Sequence, residues 1–356
     1  KYCQIAILFL RHFCPVLVSI NYILLIAGAY VSYLLIDYHR LEDNLSLETT
    51  NQSKQESFIL DQTYSMMTFN IGYGSYPSDY SFFMDGGKEV RARSKEAVEE
   101  ALTSDKEFID SANPDLVLFQ EVDVDGDRSQ HVNQVDYFTQ AFSAYAWSFA
   151  QNYDSSYLFY PITNPIGQAT SGLLALSKIN FQEAIRYQLP IDTDINKFFD
   201  LDRAYSVNRF KTNSGADLVV LNIHLSAYTK NENIQKAQLE KISQTMKNEY
   251  AKGNYVIVGG DFNHALDENA RNELTWMKSF PTEQLPEEFS VVAPSNAPTV
   301  RNIDQAYNPD TTLTGTIDGF IISNNVTVHH IQTLSNNFAS SDHNPVVVQF
   351  SLTPAQ

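Results

Sequence analysis

Seven times the chain runs for seven to ten residues through largely apolar side chains: YSMMTFN (64–70), PDLVLFQEVD (114–123), SGLLALSK (171–178), DLVVLNIHL (217–225), NYVIVGGDFN (254–263), TIDGFIIS (316–323) and NPVVVQFSL (344–352). Most are continuous rather than alternating, the pattern of strands covered on both faces. Helical periodicity precedes two of them. Val90 to Asp110 sets Ala97, Ala101, Leu102, Phe108 and Ile109 among charges, and Asn231 to Ala251 carries Leu239, Ile242, Met246 and Tyr250 at helical spacing. Asn113-Pro114 and Lys252-Gly253-Asn254 are the stops that turn each helix into the following strand. LSLE (45–48) reads as an edge strand. There is no repeat of fixed period, so one α/β domain over about residues 45–354 is the simplest parse.

Polar residues at the strand ends carry the chemistry. FN places Asn70 at the end of the first run, and FQE places Glu121 near the end of the second. NIHL supplies His224, GGDFN supplies Asp261 and Asn263, TIDGF supplies Asp318, and SSDHNP supplies Asp342 and His343. Amide and carboxylate oxygens with two imidazoles and no thiol describe a site for a hard cation. Mg²⁺ fits that set, with Mn²⁺ as a substitute. The chain has no HExxH zinc motif and no GxxxxGK[ST] phosphate loop. Its two cysteines, Cys3 and Cys14, exclude a disulfide framework and any Cys-rich zinc module.

In this order, FN, QE, NIHL, GDFN, IDGF and SDH resemble the endonuclease/exonuclease/phosphatase superfamily, which includes abasic-site endonucleases, DNase I-like nucleases, neutral sphingomyelinases and inositol polyphosphate 5-phosphatases. The resemblance covers about residues 64–352, and SGLLALSK also resembles the family's strand preceding its NxHL motif. It implies a four-layer α/β sandwich, two mixed sheets face to face with helices outside. It also implies roles. Glu121 is the main metal carboxylate with Asn70 beside it, and Asp342 binds metal directly or through water. Asp261 orients or deprotonates the attacking water, and Asn263 holds that water or a phosphate oxygen. His343 partners the scissile phosphate, as base or as charge stabiliser, and Asp318 fixes its ring from behind. His224 contacts the phosphate or the leaving oxygen. Either Asp261 or His343 takes the water's proton.

Around these motifs, the aromatic and Gly-rich segment Tyr73 to Lys88 is a candidate groove wall. Arg128 and His131 are candidates for a second phosphate, and a tyrosine within Tyr145–Tyr160 is expected near the first. His264 is expected to be a spectator, and His329 and His330 to be solvated on an edge strand.

The N-terminal region is of a different kind. The chain opens on Lys1 rather than methionine, so its numbering is expected to begin after the true start. From Phe13 to Ile36 no residue is charged, a run of 24 residues, and about 20 suffice to cross a bilayer as a helix. Residues 1–40 are therefore expected to be a transmembrane anchor and 41–356 the catalytic domain. The competing readings are a leader with an A-x-A-like site at Ala27-Gly28-Ala29, past which the apolar run continues, and a buried core helix. Lys1, Arg11 and His12 precede the span and Asp37, His39, Arg40, Glu42 and Asp43 follow it, which predicts a cytoplasmic N-terminus and an extracytoplasmic domain. Its lack of cysteine leans toward a bacterial cell surface.

The formal net charge is −18; residues 1–40 carry three basic side chains against Asp37, which leaves −20 on the remainder. A unit so acidic is poorly suited to general nucleic-acid binding. The expected reaction is metal-dependent hydrolysis of a phosphoester, most simply a phosphodiester. A lipid headgroup, nucleic acid or a small phosphorylated metabolite would serve as substrate. No protein partner is implied. The alternatives are an extracellular nuclease and, in another class, a non-catalytic phosphate-binding module, against which stands the retention of every motif polar group.

Overall fold

The computed structural model of the chain describes residues 2–227, 232–267, 274 and 276–354. In chain order the strands are β1 (Leu45–Ser46), β2 (Thr49–Thr50), β3 (Tyr64–Asn70), β4 (Leu116–Gly126), β5 (Ala146–Asp154), β6 (Ala169–Ser177), β7 (Glu183–Gln188), β8 (Ala204–Lys211), β9 (Asp217–His224), β10 (Tyr255–Asp261), β11 (Phe289–Val292), β12 (Val300–Arg301), β13 (Thr314–Gly315), β14 (Asp318–Ser323), β15 (Val326–Thr333) and β16 (Val346–Leu352). The helices are α1 (Tyr2–Asp37), α2 (Lys95–Ala112), α3 (Gln134–Ala141) and α4 (Glu232–Tyr250). One seven-stranded mixed sheet has the order β1-β7-β8-β9-β10-β14-β11 and the other β15-β16-β3-β4-β6-β5-β2. The pair β12–β13 stands apart from both.

Strand pleat sorts the apolar residues into three layers of core. Tyr64, Met66, Leu116 and Leu118 of one sheet meet Leu218, Val220, Tyr255, Ile257 and Phe320 of the other. The alternate residues face outward. Met67, Phe69, Val117 and Phe119 pack under Val98, Leu102 and Ile109 of α2 and Phe138 of α3. On the opposite side Val219, Leu221, Val256, Val258 and Ile321 pack under Leu239, Ile242 and Met246 of α4. Helix, sheet, sheet, helix is the four-layer architecture expected from the sequence. Each fully buried aliphatic side chain contributes about 2 kcal/mol.

All seven expected strands are present, and β1 is the edge strand anticipated at 45–48. Helix α2 begins at Lys95, not at Val90. Ser94 caps it by accepting the Ala97 N–H at 3.2 Å, while Arg93 just before pairs with Asp79 and Glu89. Asn113 ends it in a left-handed conformation, φ 47°. The expected start of α4 at Asn231 lies outside the described residues.

Residues 1–40 and 41–356 are two compact units. In the first, Val18–Asp37 is long and apolar enough to cross a membrane, with a mean hydropathy of 1.8, and only 6% of it is buried. That exposure argues against a core helix. A leader segment has the same length and composition.

Beneath the polar ends of the central strands the sheets are joined by amides. Gln120 Nε2 donates to Asn222 Oδ1 at 2.7 Å, and Asn222 Nδ2 donates to the Phe119 carbonyl at 3.0 Å. Both residues are completely buried. Asn222→Ala should therefore remove both inter-sheet hydrogen bonds, leaving the Gln120 amide to Thr68 Oγ1 and the Leu118 carbonyl, and lower stability by about 1–3 kcal/mol. Urea unfolding followed by circular dichroism measures this, with exposed Thr327→Ala as the neutral control.

Candidate active site

Pleat and register build the site. On β9, β10 and β14 the side chains facing the other sheet are apolar until the strand end, where the same face turns polar. Asp261 of β10 lies between His224 of parallel β9 and Asp318 of antiparallel β14, each its direct register partner. Three chemical groups thus sit side by side in one row. Gly260 lets this row close up, since a Cβ there would fall 2.0 Å from the Ile223 carbonyl oxygen.

From the opposite sheet, Asn70 at the end of β3 donates through Nδ2 to Asp261 Oδ2 at 3.0 Å and accepts the Gly72 N–H at Oδ1. Glu121 is aimed by a bulge. Its φ is +57°, and the β4–β6 register breaks between Phe119 and Val122. In unbroken pleat Gln120 faces the other sheet and the next residue would face the helices; the bulge swings Glu121 back, with Oε1 3.7 Å from His224 Nε2.

His343 closes the constellation. Its Nδ1 lies 2.9 Å from Asp318 Oδ2 and its Nε2 3.8 Å from Asp261 Oδ2. The loop carrying it is pinned by Ser341, whose hydroxyl donates to the Asn70 carbonyl and accepts the His343 N–H. Asn263, at φ +50°, donates its backbone N–H to Asp261 Oδ1 and its side-chain amide to the Leu225 carbonyl. Asp261 is therefore bonded at both oxygens.

Glu121, His224, Asp261, Asn263, Asp342 and His343 all line one cavity of about 290 Å³, and Asn70 and Asp318 are bonded directly to its lining. The candidate residues from both sheets and two loops thus converge. The groove-wall expectation for 73–88 is met by Tyr73, Tyr76, Phe82, Met84 and Asp85, and Tyr153 is the tyrosine of the 145–160 window that reaches the cavity. Arg128 lines it too, bonded to both oxygens of Asp123 and stacked 3.2 Å from the Tyr73 ring centroid. His131 does not reach it; exposed, it pairs with Asp125 at 2.7 Å. His264 is buried on the Phe262 carbonyl away from the cavity, and His329 and His330 are exposed on edge strand β15. Sequence reasoning missed Ser341 and Arg301. The buried Arg301 guanidinium donates to the carbonyls of Pro77, Asn302 and Gln305 and so anchors the groove-wall segment.

Burial, then the adjacent Asp342 carboxylate, push Glu121 up to about 7. Burial and Asp318 do the same to Asp261, also to about 7. Asp85 rises to about 6 through burial and Asp342. Burial lowers His343, but the charge and hydrogen bond of Asp318 outweigh it and hold the ring well above its ordinary value. His224 is pushed well below by burial, with Arg203 and His343 adding to it. Glu121 stays raised even with the positive charges of His343 and Arg128 nearby, and Asp261 even with that of His343, so further counter-charge would be favourable. A hard divalent cation supplies it, and the all-oxygen donors Glu121, Asp342 and Asn70 fit such an ion. Asp261, Asp318 and His343 also offer ligand atoms within 4.8 Å of one another, but His343 Nδ1 is already engaged by Asp318.

The endonuclease/exonuclease/phosphatase family profile matches residues 67–343. The chain belongs to that family. Family members are hydrolases of phosphoester bonds, typically dependent on a divalent metal. Among solved structures, an endonuclease/exonuclease/phosphatase from Beutenbergia cavernae DSM 12333 is 17% identical, with a TM-score of 0.59 over 83% of this chain and 72% of that one. D. rerio TDP2 complexed with single strand DNA product is 16% identical, with a TM-score of 0.52 over 82% of this chain and 100% of that one. The human Nocturnin catalytic domain with bound sulfate anion is 19% identical, with a TM-score of 0.51 over 86% and 98%. These are likenesses of fold. No curated protein matches the sequence significantly.

The raised carboxylates set the pH dependence of cation binding. Glu121 and Asp261 hold protons below about 7, and a cation must displace them. Divalent-cation affinity should rise steeply from pH 5.5 to about 7 and level off above it, with net proton release in the lower range. Calorimetric titration in buffers of different ionisation enthalpy reads both quantities. The sign for stability is the reverse. Carboxylates raised on folding stabilise the metal-free fold only at low pH, and that contribution is lost as pH rises through about 7.

Proposed function

We propose that residues 41–356 form a Mg²⁺-dependent phosphodiesterase that acts outside the cytoplasm, tethered by residues 13–36. The observation that carries the reaction is the row His224–Asp261–Asp318, with Glu121 and His343 converging on it in one cavity. Glu121, Asn70 and Asp342 would hold the metal. A Mg²⁺ ion held there would polarise a phosphoryl oxygen and stabilise the leaving oxygen.

The protein's own groups do the rest. Asp261, fixed at both oxygens by Asn263 and Asn70, orients the attacking water and takes its proton. The water oxygen bonds to phosphorus as the opposite P–O ester bond breaks, and the proton passes to the departing alkoxide. The products are a phosphate monoester and an alcohol. His343, bonded through Nδ1 to Asp318, turns Nε2 to the phosphate and offsets its growing negative charge. His224 Nε2, near both Glu121 and Asp261, contacts the phosphate or the leaving oxygen, and Asn263 helps hold the water. The charge of −20 on this unit weighs against tight, unspecific binding of nucleic acid.

EDTA should abolish hydrolysis of an aryl phosphodiester and Mg²⁺ or Mn²⁺ should restore it; full activity in metal-free buffer would sink the mechanism. His343→Ala should cost roughly three orders of magnitude in turnover, about 4 kcal/mol. Asp318→Asn should cost less and barely change Mg²⁺ affinity, whereas Glu121→Gln should weaken it about tenfold or more. Equal weakening of metal binding by Asp318→Asn and Glu121→Gln would make Asp318 a ligand.

Lys1 and Arg11 before the apolar run, against Arg40 among Asp37, Glu42 and Asp43 after it, support the topology. Protease added to intact cells should remove the 41–356 unit and leave a short membrane stub. Complete protection would reverse the orientation.

A further inference from the structure

Residues 41–356 expose few large apolar side chains, and they are not scattered. Of the eight among the described residues, Met84, Phe159, Tyr160, Ile162, Ile195 and Phe199 lie on three segments, 73–88, 158–167 and 195–199, each of which contributes to the cavity lining, and Ile59 and Leu313 lie elsewhere. Met84 and Phe199 themselves line the cavity. The other apolar tip is a hairpin. Leu158 and Gly167 exchange backbone hydrogen bonds at 2.9 and 3.2 Å, and the Ile166 N–H donates to the Tyr160 carbonyl. Between them Phe159, Tyr160 and Ile162 point outward, Ile162 at 88% exposure.

The base of this hairpin is firmly held. Arg91 donates to the Pro165 carbonyl at 2.6 Å and to Asp127 at 2.9 Å, and Asp127 accepts the Gln168 N–H. Leu158 and Ile166 line the cavity, and the Tyr160 ring lies 5.9 Å from that of Phe83 on the facing wall. The tip is thus an ordered projection of the cavity rim.

Its composition suits a lipid interface. From Ser155 to Ser177 there is no Asp, Glu, Lys or Arg, within a unit of charge −20. Nothing charged would have to leave water if the tip entered headgroups, and Tyr with Phe and Ile is the mixture that rests at that depth. An apolar patch around a catalytic mouth is also a cost that a purely aqueous substrate does not require. The same chain carries an apolar helix long enough to span a bilayer.

We infer that the 158–167 hairpin enters the surface of a lipid bilayer, and that the phosphodiester drawn into the cavity is that of a membrane phospholipid. The surrounding negative charge favours a zwitterionic headgroup over an anionic one. The substrate class rests on the phosphodiesterase reading above; the docking does not.

The full chain, reconstituted in phosphatidylcholine vesicles, provides the test. Ile162→Trp should add fluorescence that acyl-brominated phosphatidylcholine quenches beyond the quenching of the two native tryptophans. With Mg²⁺, the combined variant Phe159→Ser, Tyr160→Ser, Ile162→Ser should lose about tenfold or more of its hydrolysis of vesicle phospholipid. The same variant should keep its rate on soluble bis(p-nitrophenyl) phosphate. Phosphatidylglycerol vesicles should be attacked more slowly than phosphatidylcholine. Absence of added quenching overturns the docking, as does a self-association lost in the serine variant, which would assign the patch to a second copy. Equal loss on lipid and soluble substrate also overturns it. Quenching with hydrolysis of the soluble diester but of no phospholipid overturns the substrate class. Quenching with no hydrolysis of any diester upholds the docking and removes the phosphodiesterase reading instead.

Discussion

The Asp261 carboxylate is buried at the end of an apolar strand, and the site's geometry follows from how that burial is tolerated. A carboxylate out of water needs hydrogen bonds and compensating charge. Asn70 crosses from the other sheet to one oxygen, and the Asn263 backbone reaches the other. His224 and His343 approach Oδ2 at 3.6 and 3.8 Å without bonding it. These groups come from both sheets and two loops, so the carboxylate fixes the spacing of everything around it.

The sheet–sheet interface makes that arrangement stiff. Tyr64, Met66, Leu116, Leu118, Tyr255 and Ile257 fill the interior below, and the Gln120–Asn222 amide bridge marks where apolar packing gives way to polar chemistry. The two layers are the same pleat seen at different heights. A side chain belongs to the core or to the site according to its distance from the strand end. Glu121 is the exception that the bulge corrects, because regular pleat would bury it beneath the helices. Its left-handed φ is a local strain maintained by the ladder on either side.

Much of this was legible in the sequence. Strands covered on both faces must be apolar throughout, so β3, β4, β6, β9, β10, β14 and β16 announced themselves, and the polar residue closing a run marked the site. Strands β5, β7 and β8 did not, since AWSFAQNYD and EAIRYQ mix polar and apolar residues around partly exposed faces, and AYSVNRFK buries the polar Ser206 and Asn208. Helix α3 has only 8 residues, too few for a periodic signal. The start of α2 was misplaced because Val90 and Ala92 are apolar but pack as loop. Ser341 and Arg301 left no sequence mark, since their role is to hold backbone carbonyls that only the fold brings near. His131 failed as a phosphate ligand for a related reason. Proximity to Glu121 in the chain did not survive the turn at 127–130, which delivers His131 to Asp125 at the surface.

Selectivity lies in the parts the strand pattern could not predict. The row His224–Asp261–Asp318 sits on rigid strand ends, whereas the cavity walls come from the 73–88 segment, Leu158 and Ile166 at the base of the 158–167 hairpin, and the stretch around Phe199. The first two are anchored by arginines, Arg301 for one and Arg91 for the other. Arg91 is paired with Asp127, whereas Arg301 bonds backbone carbonyls and stays in the cavity lining. The walls gain order from these bonds, and the mouth keeps an apolar rim within an acidic unit. Such a mouth gives up the long-range attraction that a basic groove exerts on polyanions, and discriminates by short-range contact with uncharged surface. A phosphate must then be delivered close to the row by whatever carries it, and the apolar rim sets what that carrier can be.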